Sequence, residues 1–89
     1  MLNDAVGFSE IYIVCGRTDL RYGIDSFAGV LRSLGIENPA TANTLYLFCG
    51  GRSDRIKGLV WEGDGFLLLY KKLVNGSLQW PRNASEVKA

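Results

Sequence analysis

Histidine is absent from this chain of 89 residues, and cysteine occurs only twice, at Cys15 and Cys49. Without histidine, the chain lacks the side chain that most often acts as a general base near neutral pH. The two cysteines form no Cys-x-x-Cys pair, so the sequence offers no common zinc site. We therefore expect no metal, no cofactor and no enzymatic activity, and we interpret both cysteines as small buried hydrophobic residues.

Long apolar runs are also missing from the sequence. The longest runs, such as that at residues 66–70, have five residues, whereas a membrane-spanning helix needs about 20. The N-terminus has neither the basic residues nor the apolar stretch that are typical of a signal peptide. We predict a cytoplasmic protein with reduced thiols and no membrane partner.

Neither sign of charge dominates, because ten basic residues stand against nine acidic ones and the net charge is +1. Bulk charge therefore predicts no nucleic-acid partner. The distribution is uneven, however, since residues 50–82 hold three acidic residues and six basic ones, Arg52, Arg55, Lys57, Lys71, Lys72 and Arg82. This mildly basic half of the chain is only a weak indication of an anionic partner.

The eleven glycines predict short strands and tight turns in one domain, residues 1–89, whose ends at 1–10 and 83–89 we expect to be flexible. A helix is predicted at residues 24–34, because apolar residues recur there at helical spacing. Gly35 is placed to end this helix in the left-handed conformation. Gly29, inside the helix, suggests a close approach to the sheet.

Strands are predicted at residues 11–15, 45–49, 56–62, 66–74 and 77–80. The third and fourth strands are joined either by residues 63–65 or by Asp64-Gly65 alone, and the first option places Lys57 beside Lys71. Asn75-Gly76 predicts a two-residue type I′ turn, which would bring Lys71 opposite Trp80. The predicted fold class is α+β: an antiparallel β-meander of about five short strands with one amphipathic helix packed on it.

Two groups of residues are candidates for a binding site. The glycine-rich turn at residues 50–55 contains Arg52 and Arg55, and either contacts phosphate or is a plain turn with solvated charges. It lacks the P-loop pattern. The second group combines basic with aromatic side chains. Such a group can bind nucleic acid by charge and stacking; alternatively, the basic residues protect strand edges and the aromatic residues fill the core. Its members are Lys57, Lys71, Lys72, Arg82, Trp61, Tyr70 and Trp80.

The acidic residues do not predict catalysis. A two-metal nuclease needs two or three carboxylates that converge. The spacing of the candidate carboxylates reveals no such cluster, and several suit turns or the first turn of a helix; they are Asp19, Asp25, Asp54, Glu62 and Asp64.

Five segments together resemble a known family: IYIVCGRTDLRYGID at 11–25, DRIK at 54–57, WEGDGF at 61–66, YKKL at 70–73 and QWPR at 79–82. They are similar to the small accessory protein, often called TnpB, from the second reading frame of IS-sixty-six-like insertion sequences. It is unrelated to the larger RNA-guided nuclease that shares this name. The resemblance implies a role beside a separate transposase, with no cofactor, and it carries over no site residues. The turn near Arg52 is less basic than is common in the family.

We therefore expect a non-catalytic accessory protein that supports DNA transposition by binding the transposase, the DNA of the element, or both. The expected contact face comprises Arg52, Arg55, Lys57, Lys71, Lys72 and Arg82. The alternative is a protein-interaction module or homo-oligomer with no affinity for DNA, which would pair through an uncovered strand edge.

Overall fold

The computed structural model describes residues 8–14, 16–52, 54–77 and 87–88 of the chain. In this part the chain forms, in order, β1 (Glu10–Val14), α1 (Ile24–Ser33), β2 (Thr44–Cys49), β3 (Arg55–Trp61), β4 (Phe66–Lys72) and the two-residue β5 (Val87–Lys88). The strands build one mixed sheet in the order β4-β3-β2-β1-β5, and α1 packs on one of its faces. The predicted α+β class is therefore confirmed.

The pairing of β1 with β2 corrects the predicted topology. These strands are parallel, with Ile11 opposite Leu45 and Ile13 opposite Leu47, so the expectation of a purely antiparallel sheet is wrong here. Parallel neighbours need a crossover connection, and α1 is that crossover. As a consequence, the carboxyl ends of β1 and β2 lie at the same edge of the sheet.

The predicted antiparallel meander is confirmed for β2, β3 and β4. Its register differs from both predicted options, because Trp61 pairs with Phe66 and residues 62–65 form the connection. The Glu62 N–H donates a hydrogen bond to the Gly65 carbonyl at 2.8 Å, which closes this longer loop. Lys57 consequently pairs with Tyr70 and not with Lys71. The predicted contact between the two lysines is wrong, because neighbouring residues of a strand point to opposite faces.

The turn after β4 also differs from its prediction. Gly76 has a φ of +83°, but among the described non-glycine residues only Asn43 has a positive φ. A type I′ turn requires positive φ at both central positions, so Asn75-Gly76 does not form one. The predicted returning strand lies largely outside the described residues, and so does the predicted contact of Lys71 with Trp80. β5, which pairs with β1, was not predicted from the sequence.

The helix follows its sequence pattern closely. α1 ends as predicted, with Gly35 at a φ of +101°. The N–H of Ile36 donates to the Leu31 carbonyl at 3.0 Å and that of Gly35 to the Arg32 carbonyl at 3.1 Å, which together form a Schellman motif. The suggested close approach at Gly29 is wrong, because no atom of the sheet lies within 4 Å of the position a Cβ would take there.

Each face of the sheet carries its own apolar cluster. On the helix face, seven buried residues pack together, Val14, Phe27, Ala28, Leu31, Tyr46, Phe48 and Leu59. On the opposite face, Leu45, Leu47, Ile56 and Val60 are buried and pack with Phe8 and Leu69. The side chain of Cys49 is fully buried at the end of β2, as predicted, and Cys15 lies outside the described residues. No helix of the described part is long and apolar enough to cross a membrane.

Candidate functional site

Two connections meet at the edge where β1 and β2 end. The N–H of Thr18, in the β1–α1 connection, donates a hydrogen bond of 2.8 Å to the carbonyl of Cys49 at the end of β2. In the β2–β3 turn, a Cβ on Gly50 would lie 2.8 Å from Leu20 Cγ and 3.4 Å from the Thr18 carbonyl oxygen. Glycine is required for this close packing, which holds the two connections against each other.

The β1–α1 connection contributes two arginines to this edge. The guanidinium of Arg17 lies against the turn, since a Cβ on Gly51 would be 3.1 Å from Arg17 Cζ. The guanidinium of Arg21 is fixed by Asp19, whose Oδ1 accepts from Nε at 3.0 Å and whose Oδ2 accepts from Nη2 at 2.8 Å. The Arg21 backbone N–H also donates to Asp19 Oδ1, at 2.9 Å. Both arginines therefore lie at this edge of the sheet, and the guanidinium of Arg21 is oriented there by Asp19.

The same contacts determine the charge of Asp19. The hydrogen bonds from the Arg21 side chain, followed by the one from its backbone N–H, lower the pKa of the Asp19 carboxyl to about 2. The carboxylate therefore stays ionised at neutral pH. Asp19 acts here as a support for Arg21, because its carboxylate forms an ion pair with the Arg21 guanidinium and also accepts the Arg21 backbone N–H in an Asx-type turn.

The β2–β3 turn contributes the second pair of arginines. Asp54 Oδ1 lies 3.4 Å from Arg55 Nε and 4.0 Å from Arg52 Nε. Asp54 Oδ1 and Arg55 Nε are buried atoms that have no hydrogen-bond partner among the described residues, so this pair depends on proximity of charge and not on aligned hydrogen bonds. The Leu73 N–H donates to the Asp54 carbonyl at 2.7 Å, which ties the turn to the end of β4. The side chain of Arg52 is 72% exposed and is free to reach a ligand.

Two adjoining cavities cross this surface, and we call them together the basic groove. The first, of about 400 Å³, lies between the two connections and is lined by Arg17, Arg21, Arg52 and Arg55. The second, of about 420 Å³, shares Leu20, Arg21 and Arg55 with the first and continues along the sheet to Lys57, Leu68 and Tyr70. Five cations and the two carboxylates that support them, Asp19 and Asp54, give this region a formal charge of +3.

In the second cavity of the basic groove, which runs along the sheet, a cation lies above aromatic rings. Lys57 Nζ lies 5.7 Å from the ring centroid of Tyr70 and 5.9 Å from that of Phe27. Such cation–π contacts hold the ammonium over an apolar floor. Phe27 is fully buried, whereas Tyr70 is 54% exposed, so the Tyr70 ring is available to a ligand in the groove.

The residues predicted from the sequence are divided by the fold. Arg52, Arg55 and Lys57 line the basic groove. Lys72 pairs with Arg55 at the end of the β3–β4 hairpin. Both residues therefore lie on the same face of the sheet as Lys57. Lys71 pairs with Ile56 and points to the opposite face, which removes it from this surface. Arg82 lies outside the described residues.

Sequence reasoning missed Arg17 and Arg21 as groove residues. Both lie in a connection that looks like an ordinary turn when β1 is assumed to be antiparallel to its neighbour. In a β-α-β unit, the loops that follow parallel strands gather at one edge, where ligands commonly bind. The sequence pattern of an apolar strand, a charged turn and a helix is typical of one crossover unit. Interpreting it in that way would have predicted Arg17 and Arg21 as groove residues.

The described residues contain no group of three or more histidine, cysteine, aspartate or glutamate side chains that could hold a metal ion. Asp19 and Asp54 are engaged with arginines. Glu62 and Asp64 lie at the other end of β3, in the connection to β4. The carboxylates considered from the sequence are thus distributed over separate parts of the described structure.

These features define a small α+β protein with a mixed sheet and a groove lined by basic side chains. The family described as IS66 Orf2-like protein matches residues 9–89, and the chain belongs to it. The family resemblance carried by the sequence segments is thereby confirmed, and it places the chain among the accessory proteins of insertion sequences.

One curated relative shows how far the similarity extends. The chain is 35% identical over 73 residues to the uncharacterized protein y4hO of Sinorhizobium fredii (strain NBRC 101917 / NGR234). The aligned region covers 81% of this chain and 62% of that protein, so the chain spans less than two thirds of the relative's length. No solved structure matches the chain.

Proposed function

We propose that the protein is a non-catalytic accessory factor in the transposition of its insertion sequence and that it contacts the element's DNA through backbone phosphates. The observation that carries this proposal is the basic groove, where a formal charge of +3 is gathered in a chain whose net charge is +1. A concentrated field of one sign attracts a polyanion even when the net charge of the protein is small.

The arginines of the groove keep donors for phosphate. A guanidinium has five N–H donors, and Asp19 accepts from only Nε and Nη2 of Arg21. The remaining donors can meet phosphate oxygens in the paired geometry that arginine favours. Asp19 and Asp54 therefore orient arginines without using up their capacity to bind.

The test is binding to a labelled DNA duplex that carries the terminal repeats of the element, measured by fluorescence anisotropy over a salt series. A groove of net charge +3 predicts a slope of log K against log[salt] of about −2 to −4. Arg17→Gln should reduce the magnitude of this slope by about 0.9. Arg32→Gln, an equal loss of charge on the exposed surface of α1, is the matched control and should leave it unchanged.

A second candidate function is binding of the transposase by the opposite face of the sheet. A cavity of about 420 Å³ lies there, lined mainly by apolar side chains that include Phe8, Val60, Leu67 and Leu69. Leu67 is 39% exposed, and together with the other apolar residues that line the cavity it forms an apolar patch that a protein partner could cover. Absence of DNA binding at low salt would refute the first candidate, and co-purification with the transposase that is lost in Leu67→Glu would support the second.

A further inference from the structure

The two halves of the basic groove differ in chemistry. The half between the connections is lined by four arginines. The half along the sheet shares Leu20, Arg21 and Arg55 with it, and adds Lys57, Leu68 and the exposed ring of Tyr70. A phosphate suits the first half and a flat apolar group suits the second. A nucleotide is a ligand that carries both groups in one unit.

We infer that the basic groove binds single-stranded DNA, with backbone phosphate at the arginines and an unpaired base stacked on Tyr70. This inference rests on the proposed function, because it specifies which form of the element's DNA the same groove takes. In a duplex the faces of the bases are covered by neighbouring pairs, and only an unpaired base can stack on a side chain. The exposed ring of Tyr70 next to the phosphate half therefore favours a single strand over a duplex.

The position of Lys57 supports the same occupant. Arg55 and Lys57 are two residues apart on one face of β3, so their backbones are separated by about 7 Å along the strand. The ammonium of Lys57 lies 5.7 Å from the ring centroid of Tyr70 and 5.9 Å from that of Phe27, which places a second cation, after Arg55, at the stacking surface. A single strand that passes from the arginines to Tyr70 would meet both charges. Alternation of cations and aromatic rings along a groove is typical of proteins that bind single strands.

The size of the groove is consistent with a short single-stranded stretch. Each half measures about 400 Å³, which falls within the range of about 300–1,000 Å³ that is usual for pockets holding small organic ligands. These volumes are therefore sufficient for one or two nucleotides.

The experiment compares three labelled oligonucleotides of equal length at one salt concentration: a single strand, the corresponding duplex and an abasic single strand with the same phosphates. The wild-type protein should bind the single strand more tightly than the other two. Tyr70→Ala should weaken binding of the single strand by about 5- to 100-fold, the range expected for loss of one stacked base. The same variant should change duplex binding less than about twofold.

Tyr70→Phe is the matched control, because it keeps the ring and should retain the affinity for the single strand. The comparison between normal and abasic strands uses only the wild-type protein and so does not depend on any variant folding. Equal affinity for normal and abasic strands, or an equal effect of Tyr70→Ala on single strand and duplex, would overturn the inference and leave phosphate contact standing. If no oligonucleotide binds, the proposed contact with DNA fails, and this inference fails with it.

Discussion

Lys57 and Lys71 provide a direct test of which face of the sheet meets DNA. Both lie on neighbouring strands of the same hairpin, but Lys57 pairs with Tyr70 in the basic groove, whereas Lys71 pairs with Ile56 and points to the opposite face. The substitutions Lys57→Gln and Lys71→Gln each lower the net charge of the chain from +1 to 0. They therefore differ in position and not in bulk charge.

The expected size of the effect follows from the charge of the groove. For duplex DNA, each neutralised phosphate contributes about −0.9 to the slope of log K against log[salt]. Loss of Lys57 should change a slope of about −2.7 to about −1.8. Between 50 and 200 mM salt, one such contact accounts for about a 3- to 4-fold change in affinity. Lys71→Gln should leave the slope at its wild-type value.

Anisotropy titrations of the two variants and the wild-type protein, at four or more salt concentrations, measure these slopes. Urea unfolding of each variant shows whether the fold is retained. Equal changes in slope for both variants would mean that DNA senses only the net charge of the protein. A larger effect of Lys71→Gln would place the DNA on the opposite face and refute the assignment of the groove.

Three further predictions concern the architecture of the groove. Gly50→Ala should lower the free energy of unfolding by about 1–3 kcal/mol, because its Cβ would lie 2.8 Å from Leu20 Cγ; an unchanged urea midpoint would contradict the close packing of the two connections. Gly29→Ala, where the Cβ meets no atom within 4 Å, should raise that free energy by about 0.5–1 kcal/mol, as measured by the same urea titration. The pKa of the Asp19 carboxyl is lowered from 3.8 to about 2, so this group should titrate near pH 2 in an NMR experiment, and its pKa should return toward 3.8 in Arg21→Gln. Because the pKa is lower in the folded state than in the unfolded state, the contribution of Asp19 to stability is complete above about pH 4 and is lost as the pH falls toward 2.

Local sequence patterns predicted much of the fold. The spacing of apolar residues at Ile24, Phe27 and Leu31 identified the helix, and Gly35 identified its end. β2, β3 and β4 were predicted near their observed positions, since each is a short apolar run between turn residues. These features depend on neighbours in the sequence, so the sequence contains the necessary information about them.

Pairing between distant segments was not predictable in the same way. Nothing within residues 10–14 distinguishes a strand that is parallel to β2 from one that is antiparallel to it. The register of β3 with β4 depends on one added residue in the loop, and that residue decides whether Lys57 faces Lys71 or Tyr70. Both errors affected the predicted site. Arg17 and Arg21 were missed because the parallel pairing of β1 with β2 brings their connection to the groove. Lys71 was wrongly included because the observed register of β3 with β4 points it to the opposite face.

The position of β1 in the sheet also constrains the order in which the protein can fold. β1 precedes the other strands in the chain, yet it is hydrogen-bonded to β2 on one side and to β5, at residues 87–88, on the other. The β2–β3 and β3–β4 hairpins have short loops and can form first, whereas the pairing of β1 with β5 joins distant segments and closes a much larger loop. The part of the sheet that carries Arg55, Lys57 and Tyr70 can therefore form before the pairing with β5 completes the sheet.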